Sequence, residues 1–118
     1  MKPNNIILDK SKEFALSIIS LYKYLCTVKK EYIISKQLLR SGTSIGANAK
    51  EASLAQSKRD FIAKLSISLK EAGETEYWIE LLYKSDYIDK NMFDNYFVMI
   101  DEIIRIITTI LKTAKKNL

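Results

Sequence analysis

The chain has no histidine. That absence removes the commonest general base, most hydrolase triads and the histidine-bearing zinc sites. Its single cysteine, Cys26, has no mate for an intrachain disulfide, which suits a reducing compartment and excludes a disulfide scaffold. Cys26 falls on an apolar-rich helical segment and reads as a buried, inert thiol. One proline and three glycines leave little turn material, so regular structure is expected to be long. No apolar run reaches the roughly 20 residues that span a membrane. The best candidate, 103–111, is interrupted by Arg105. The opening segment Met1-Lys2-Pro3-Asn4-Asn5 lacks the apolar core and small-residue cleavage site of a signal peptide, so a cytoplasmic protein is expected.

What is present is helical periodicity. At 118 residues the chain is long enough for one domain, 1–118, with a core of its own. Phe14, Ile18, Leu21, Leu25 and Val28 recur at steps of three and four and predict a first helix over 9–28, with Asp9 as its N-cap. A second is expected from Ser35, as cap, to 54 or 55, carrying Leu38, Leu39, Ile45, Ala49 and Ala52. A third should open at Ser57, with Asp60 three positions on, and run to 84. Its seam is Phe61, Leu65, Ser68, Ala72, Thr75, Ile79 and Leu82. A fourth is expected over 89–115. It is apolar around so much of its circumference, with Phe97, Ile104 and Ile106 off the main line, that part of it reads as a subunit interface. Four such segments with short connections predict an all-α, antiparallel, up-down-up-down four-helix bundle.

The most informative stretch is the second helix from Ser41 to Ala52. Ser41, Ser44, Ile45, Asn48, Glu51 and Ala52 share one helical face, which is polar where apolar residues are expected. Buried polar atoms must find partners. Arg40, Ser41, Ser44, Asn48 and Glu51 are therefore expected to form a structural polar network with Glu71 and Glu74 of the third helix. Gly42 and Gly46 each cost about 1 kcal/mol relative to alanine inside a helix, so a neighbouring backbone should pass close there. A phosphate loop at Gly42-Thr43-Ser44-Ile45-Gly46 fails for want of a following Lys-Ser/Thr and a preceding strand. Convergence of Glu51, Glu71 and Glu74 on a metal is the sharper alternative to the network. Di-metal carboxylate bundles use Glu-x-x-His pairs, which this chain lacks, so no metal and no cofactor is expected. No serine has an evident base, and no catalytic residue is assigned.

The net charge is +5, from 19 lysines and arginines against 14 acids. A basic balance suits an anionic partner. Lys10, Lys12, Lys23, Lys29, Lys30, Lys112, Lys115 and Lys116 are the candidate nucleic-acid contacts. Tyr22, Tyr24 and Tyr32 lie among the earlier lysines, where aromatic rings could stack on bases. No RNA-binding module motif accompanies them.

Two blocks then point to a family. Arg40-Ser41-Gly42-Thr43-Ser44-Ile45-Gly46-Ala47-Asn48-Ala49-Lys50-Glu51-Ala52 resembles the signature of the four-helix-bundle proteins named after 23S rRNA intervening sequences. The block from Asp60 to Ile79 resembles the one that follows it there, in the same order and at the same separation. Two positions depart from the commoner pattern: Ala52 stands where many members have glycine, and Glu71-Ala72 replaces a Gly-Ser step. The resemblance implies an antiparallel four-helix bundle and a homo-oligomer, with a pentameric ring favoured. It also implies kinship with the accessory protein of diversity-generating retroelements, which binds nucleic acid and a reverse transcriptase through a basic oligomer surface. Ser41, Ser44, Asn48, Glu51, Glu71 and Glu74 match motif positions and read as structural. The expectation is a non-enzymatic oligomeric scaffold that binds RNA or a ribonucleoprotein. Two alternatives are an adaptor that contacts a protein, such as a reverse transcriptase or ribosome-associated factor, without touching nucleic acid, and a small enzyme with a carboxylate-held metal.

Overall fold

A computed structural model of the chain describes residues 5–118. Residues 1–4 of the N-terminal segment read above, and the start of the domain assigned to 1–118, lie outside the described residues. Four α-helices follow in order: α1 (Asn5–Thr27), α2 (Ile34–Ser53), α3 (Lys58–Lys84) and α4 (Lys90–Lys116). There is no strand among the described residues. The helices are antiparallel and touch in the ring order α1–α2–α3–α4, with α1 and α4 touching least. The bundle measures 46 × 20 × 19 Å.

The expected seams form the core. Phe14, Ile18, Leu21 and Leu25 of α1 and Leu38, Ile45, Ala49 and Ala52 of α2 are buried. So is every residue of the α3 seam from Phe61 to Leu82, and so are Ile100, Ile103, Ile107 and Leu111 of α4. Gly42 shows why α2 carries small residues. A Cβ there would sit 2.9 Å from Ile18 Cγ2, and one at Gly46 would sit 3.2 Å from Ser11 Oγ. The α1–α2 approach is closer than alanine permits at Gly42. Gly73 is different: nothing lies within 4 Å of its would-be Cβ.

Two helix starts differ from expectation. α1 begins at Asn5, so Asp9 lies inside the helix and is no cap. The apolar period extends back through buried Ile7, but Ser11 interrupts it in sequence. Ser11 is itself buried, donates to the Leu8 carbonyl and packs on Gly46. α2 begins at Ile34, and its N-cap position, Ile33, supplies no side-chain bond. Ser35 is not the cap, because Glu31 reaches forward instead. Its carboxylate accepts N–H bonds from Ile33 at 3.1 Å, Ile34 at 2.9 Å and Ser35 at 2.7 Å. The Ser35 hydroxyl donates to the Glu31 carbonyl at 2.9 Å. The α1 end is also closed without glycine. Lys30 takes a left-handed φ of 56°, and the Glu31 N–H donates to the Leu25 carbonyl at 2.9 Å. Val28 falls beyond this end and is exposed.

The other two caps follow the sequence. Ser57 Oγ accepts the Asp60 N–H at 3.0 Å, and Asp89 Oδ1 accepts the Met92 N–H at 2.9 Å. Of the surplus apolar residues of α4, Ile104 and Ile106 are half-buried against the core, Phe97 is half-buried beside Phe93, and Val98 is the one large α4 hydrophobe that is mostly exposed.

Candidate functional site

The polar stripe of α2 divides into two layers, and only one of them is inside. In the buried layer, Ser41 and Thr75 meet with their oxygens 2.8 Å apart, and Thr75 Oγ1 lies 2.7 Å from the Glu71 carbonyl. Ser68 donates to the Ile45 carbonyl at 2.7 Å. All three side chains are buried, and no buried side-chain nitrogen or oxygen among the described residues lacks a partner. These hydroxyls lock α2 to α3 because a slip in register would strand them.

The outer layer is wet. Arg40 bonds Glu71 at 3.3 Å and also pairs with Glu74, whose Oε2 accepts the Trp78 indole N–H at 2.9 Å. Arg40, Glu71 and Glu74 thus come together as expected, but at the rim of the α2–α3 seam. Ser44 and Asn48 are half-buried and bond back into their own helix, Ser44 to the Arg40 carbonyl and Asn48 Nδ2 to the Ser44 carbonyl. Glu51 corrects the sequence reading. It is exposed and pairs with Lys64 at 3.1 Å, on the surface and apart from the Arg40 cluster. The sequence wheel placed Glu51 beside Ala52, but the packed face centres on Ile45 and Ala49, which turns Glu51 outward. Glu51, Glu71 and Glu74 therefore do not converge, and among the described residues no group of three His, Cys, Asp or Glu is arranged to hold a metal.

Two carboxyls feel their surroundings in opposite directions. Burial alone would raise Glu31, but the N–H bonds of Ile34, Ser35 and Ile33 outweigh it and hold the group below the ordinary glutamate value. Glu76 is pushed up, first by burial and then by the neighbouring charges of Asp101 and Glu80.

The candidate lysines separate into two groups. Lys10 and Lys23 lie about 20 Å apart along α1 at 1.5 Å per residue. Lys10, Lys12, Lys112, Lys115 and Lys116 therefore belong to one half of the bundle, and Lys23, Lys29 and Lys30 to the other. The first end gathers the start of α1, the end of α2, the start of α3 and the end of α4. Contact across it is direct, since Lys58 Nζ donates to the Asn117 carbonyl at 3.2 Å. It adds Lys50, Lys58 and Arg59 to the expected set. Antiparallel topology could have found these three, because it places helix ends distant in sequence at one tip. Lys10 is spoken for by Glu102 at 3.2 Å. Among the described residues Lys12, Lys50, Arg59, Lys112, Lys115 and Lys116 have no carboxylate partner. At the opposite end the exposed Lys23, Lys29, Lys30, Lys36, Lys84 and Lys90 are interleaved with exposed Glu80, Asp86, Asp89 and Asp94. Lys90 and Asp94 pair there at 2.8 Å. Tyr32 is exposed beside Lys29 and Lys30.

No described helix is long and apolar enough to cross a membrane. The sequence profile described as 23S rRNA-intervening sequence protein matches residues 3–109. A crystal structure from Bacteroides thetaiotaomicron is similar throughout, with 52% sequence identity and a TM-score of 0.91. The similarity covers 92% of this chain and 96% of that one, which is described as a protein with unknown function from the S23 ribosomal protein family. No curated protein gives a match.

Proposed function

The chain belongs to the 23S rRNA-intervening sequence protein family, and on that footing we propose that it is a non-enzymatic cytoplasmic scaffold that assembles with copies of itself and binds RNA or a ribonucleoprotein. The observation that carries this reading is the set of unpaired cations at one end of the bundle, Lys12, Lys50, Arg59, Lys112, Lys115 and Lys116. Exposed cations without partners release counterions when they meet phosphates, and that release drives sequence-independent binding. The buried hydroxyl seam gives a rigid rod on which such charges hold fixed positions. A pentamer, the favoured assembly, would repeat the charged tip about an axis and sum weak contacts by avidity. Gly73 supports assembly from a second direction. It weakens α3, has open space around it, and lies one turn from the exposed Tyr77 on an outward face.

Filter binding with structured RNA at low salt tests the ligand, and light scattering tests the assembly. Measurable binding that declines as salt rises supports the reading. Negligible binding at low salt overturns it. A scattering mass near five times the 13.6 kDa chain supports the pentamer, and the mass of one chain contradicts any assembly. Capture of a protein partner that persists after nuclease treatment, with no RNA retained, would favour the adaptor instead.

A further inference from the structure

Building on the nucleic-acid reading proposed above, we infer that the lysine-bearing end of the bundle fits the sugar–phosphate backbone of a double helix and not the unstacked bases of a single strand. The contacts are Lys50, Lys58, Arg59, Lys112, Lys115 and Lys116, which close the tip where α2 and α4 end and α3 begins. Each lies within about 10 Å of a helix terminus at 1.5 Å per residue.

Three observations separate the two ligand types. Single strands are held by aromatic rings on which bases stack, together with a basic groove. The tip has no such ring. Its nearest aromatic side chains, Phe14 and Phe61, are 1% and 2% exposed and belong to the core. The exposed Tyr32 and Tyr77 sit elsewhere, Tyr32 at the far end of the rod. Next, five of the six cations are lysines. A lysine ammonium is a compact charge on a flexible stem, suited to phosphate, whereas reading a base edge favours the planar fork of arginine. Finally, cations outnumber acids there: the six stand beside Glu51, which already pairs with Lys64, and Asp60. Lys58 gives one bond to the Asn117 carbonyl, and none of the other five meets a carboxylate among the described residues. A double helix presents two rows of phosphates at fixed spacing, which a rigid collar of cations can meet without ordering the ligand.

The rival surface lies at the opposite end, where Lys29 and Lys30 flank the exposed Tyr32. That end has the aromatic a single strand needs, but its cation excess is smaller: Lys23, Lys29, Lys30, Lys36, Lys84 and Lys90 stand among Glu80, Asp86, Asp89 and Asp94, although among the described residues only Lys90 of these lysines forms an ion pair.

The test is fluorescence anisotropy on the full chain with blunt duplex RNA, duplex DNA of the same sequence and an unstructured single strand of equal length. Two double variants are compared with the unaltered protein. Lys112→Glu with Lys116→Glu alters the tip, and Lys29→Glu with Lys30→Glu alters the far end. Circular dichroism confirms that both remain helical. The expected result is duplex binding about tenfold or more tighter than single-strand binding. The tip variant should weaken duplex binding by about tenfold or more, and the far-end variant by less than about twofold. Preference for duplex RNA over duplex DNA names A-form helices as the source of the ligand, and equal affinity names any double helix. Single-strand binding as tight as duplex binding, or loss confined to the far-end variant, overturns this assignment while leaving nucleic-acid binding intact. Absence of binding to all three ligands overturns both.

Discussion

Ser41 and Thr75 join α2 to α3 hydroxyl to hydroxyl, 2.8 Å apart and out of contact with water. Thr75 Oγ1 has one proton to share between two acceptors, the Glu71 carbonyl at 2.7 Å and Ser41 Oγ at 2.8 Å, while the Ser41 hydroxyl donates to the Leu38 carbonyl at 3.5 Å. Thr75→Val keeps the shape and removes both Thr75 bonds, leaving buried Ser41 with only its long contact to the Leu38 carbonyl at 3.5 Å. We expect a loss of about 1–3 kcal/mol in urea unfolding. Adding Ser41→Ala should cost less than the sum of the single changes, because both partners are then absent together. Strict additivity would show that the two hydroxyls do not act as a pair.

The glycines of α2 and α3 should respond with opposite signs. Gly42→Ala places a methyl 2.9 Å from Ile18 Cγ2, and overpacking of this kind costs about 1–3 kcal/mol. Ile18→Val in the same chain should recover part of the loss. Gly73→Ala meets nothing within 4 Å and should stabilise the isolated protomer by about 0.4–1 kcal/mol. If light scattering shows the Gly73→Ala chain losing assembly while its thermal stability rises, the outward face of α3 is the subunit contact.

Glu31 gives the fold an acid-sensitive start to α2. Its carboxyl is held below the ordinary value, so its contribution is complete above the unfolded-state pKa of about 4.3 and disappears as pH falls through the lower folded value. Glu31→Gln keeps the size but offers one acceptor oxygen to three N–H donors. At neutral pH the variant should be less stable by about 1–2 kcal/mol. The two melting curves should converge as the pH is lowered below the glutamate range. A constant gap across that range would contradict the capping role.

Much of this architecture was legible in the residues. The α3 seam and the caps at Ser57 and Asp89 rest on local rules, spacing and side-chain bonding within one turn, and those rules operate before tertiary packing. A close approach at Gly42 was legible for the same reason, since glycine in a helix interior needs a spatial cause, but what comes close is the Ile18 side chain and not the expected backbone. The readings that failed depended on distance between elements. Glu51 lies one residue from buried Ala52, yet helix rotation puts it against Lys64 in water. Glu31 caps a helix from outside it, three residues before the first helical position, where no spacing rule points. The candidate lysines form a single set in sequence, but rods this long carry even sequence neighbours such as Lys12 and Lys23 toward opposite ends. Lys58 and Arg59 were passed over although the topology brings them beside the α4 terminus.

The most direct test of the charged-tip account is the salt dependence of duplex binding. If the tip neutralises phosphates with Lys50, Lys58, Arg59, Lys112, Lys115 and Lys116, the logarithm of affinity should fall against the logarithm of salt with a slope of about −5. Lys115→Gln with Lys116→Gln should make that slope shallower by about 2, while leaving the fold intact. A slope near zero, or one that the paired change leaves untouched, would contradict the claim that this end of the bundle holds the nucleic acid.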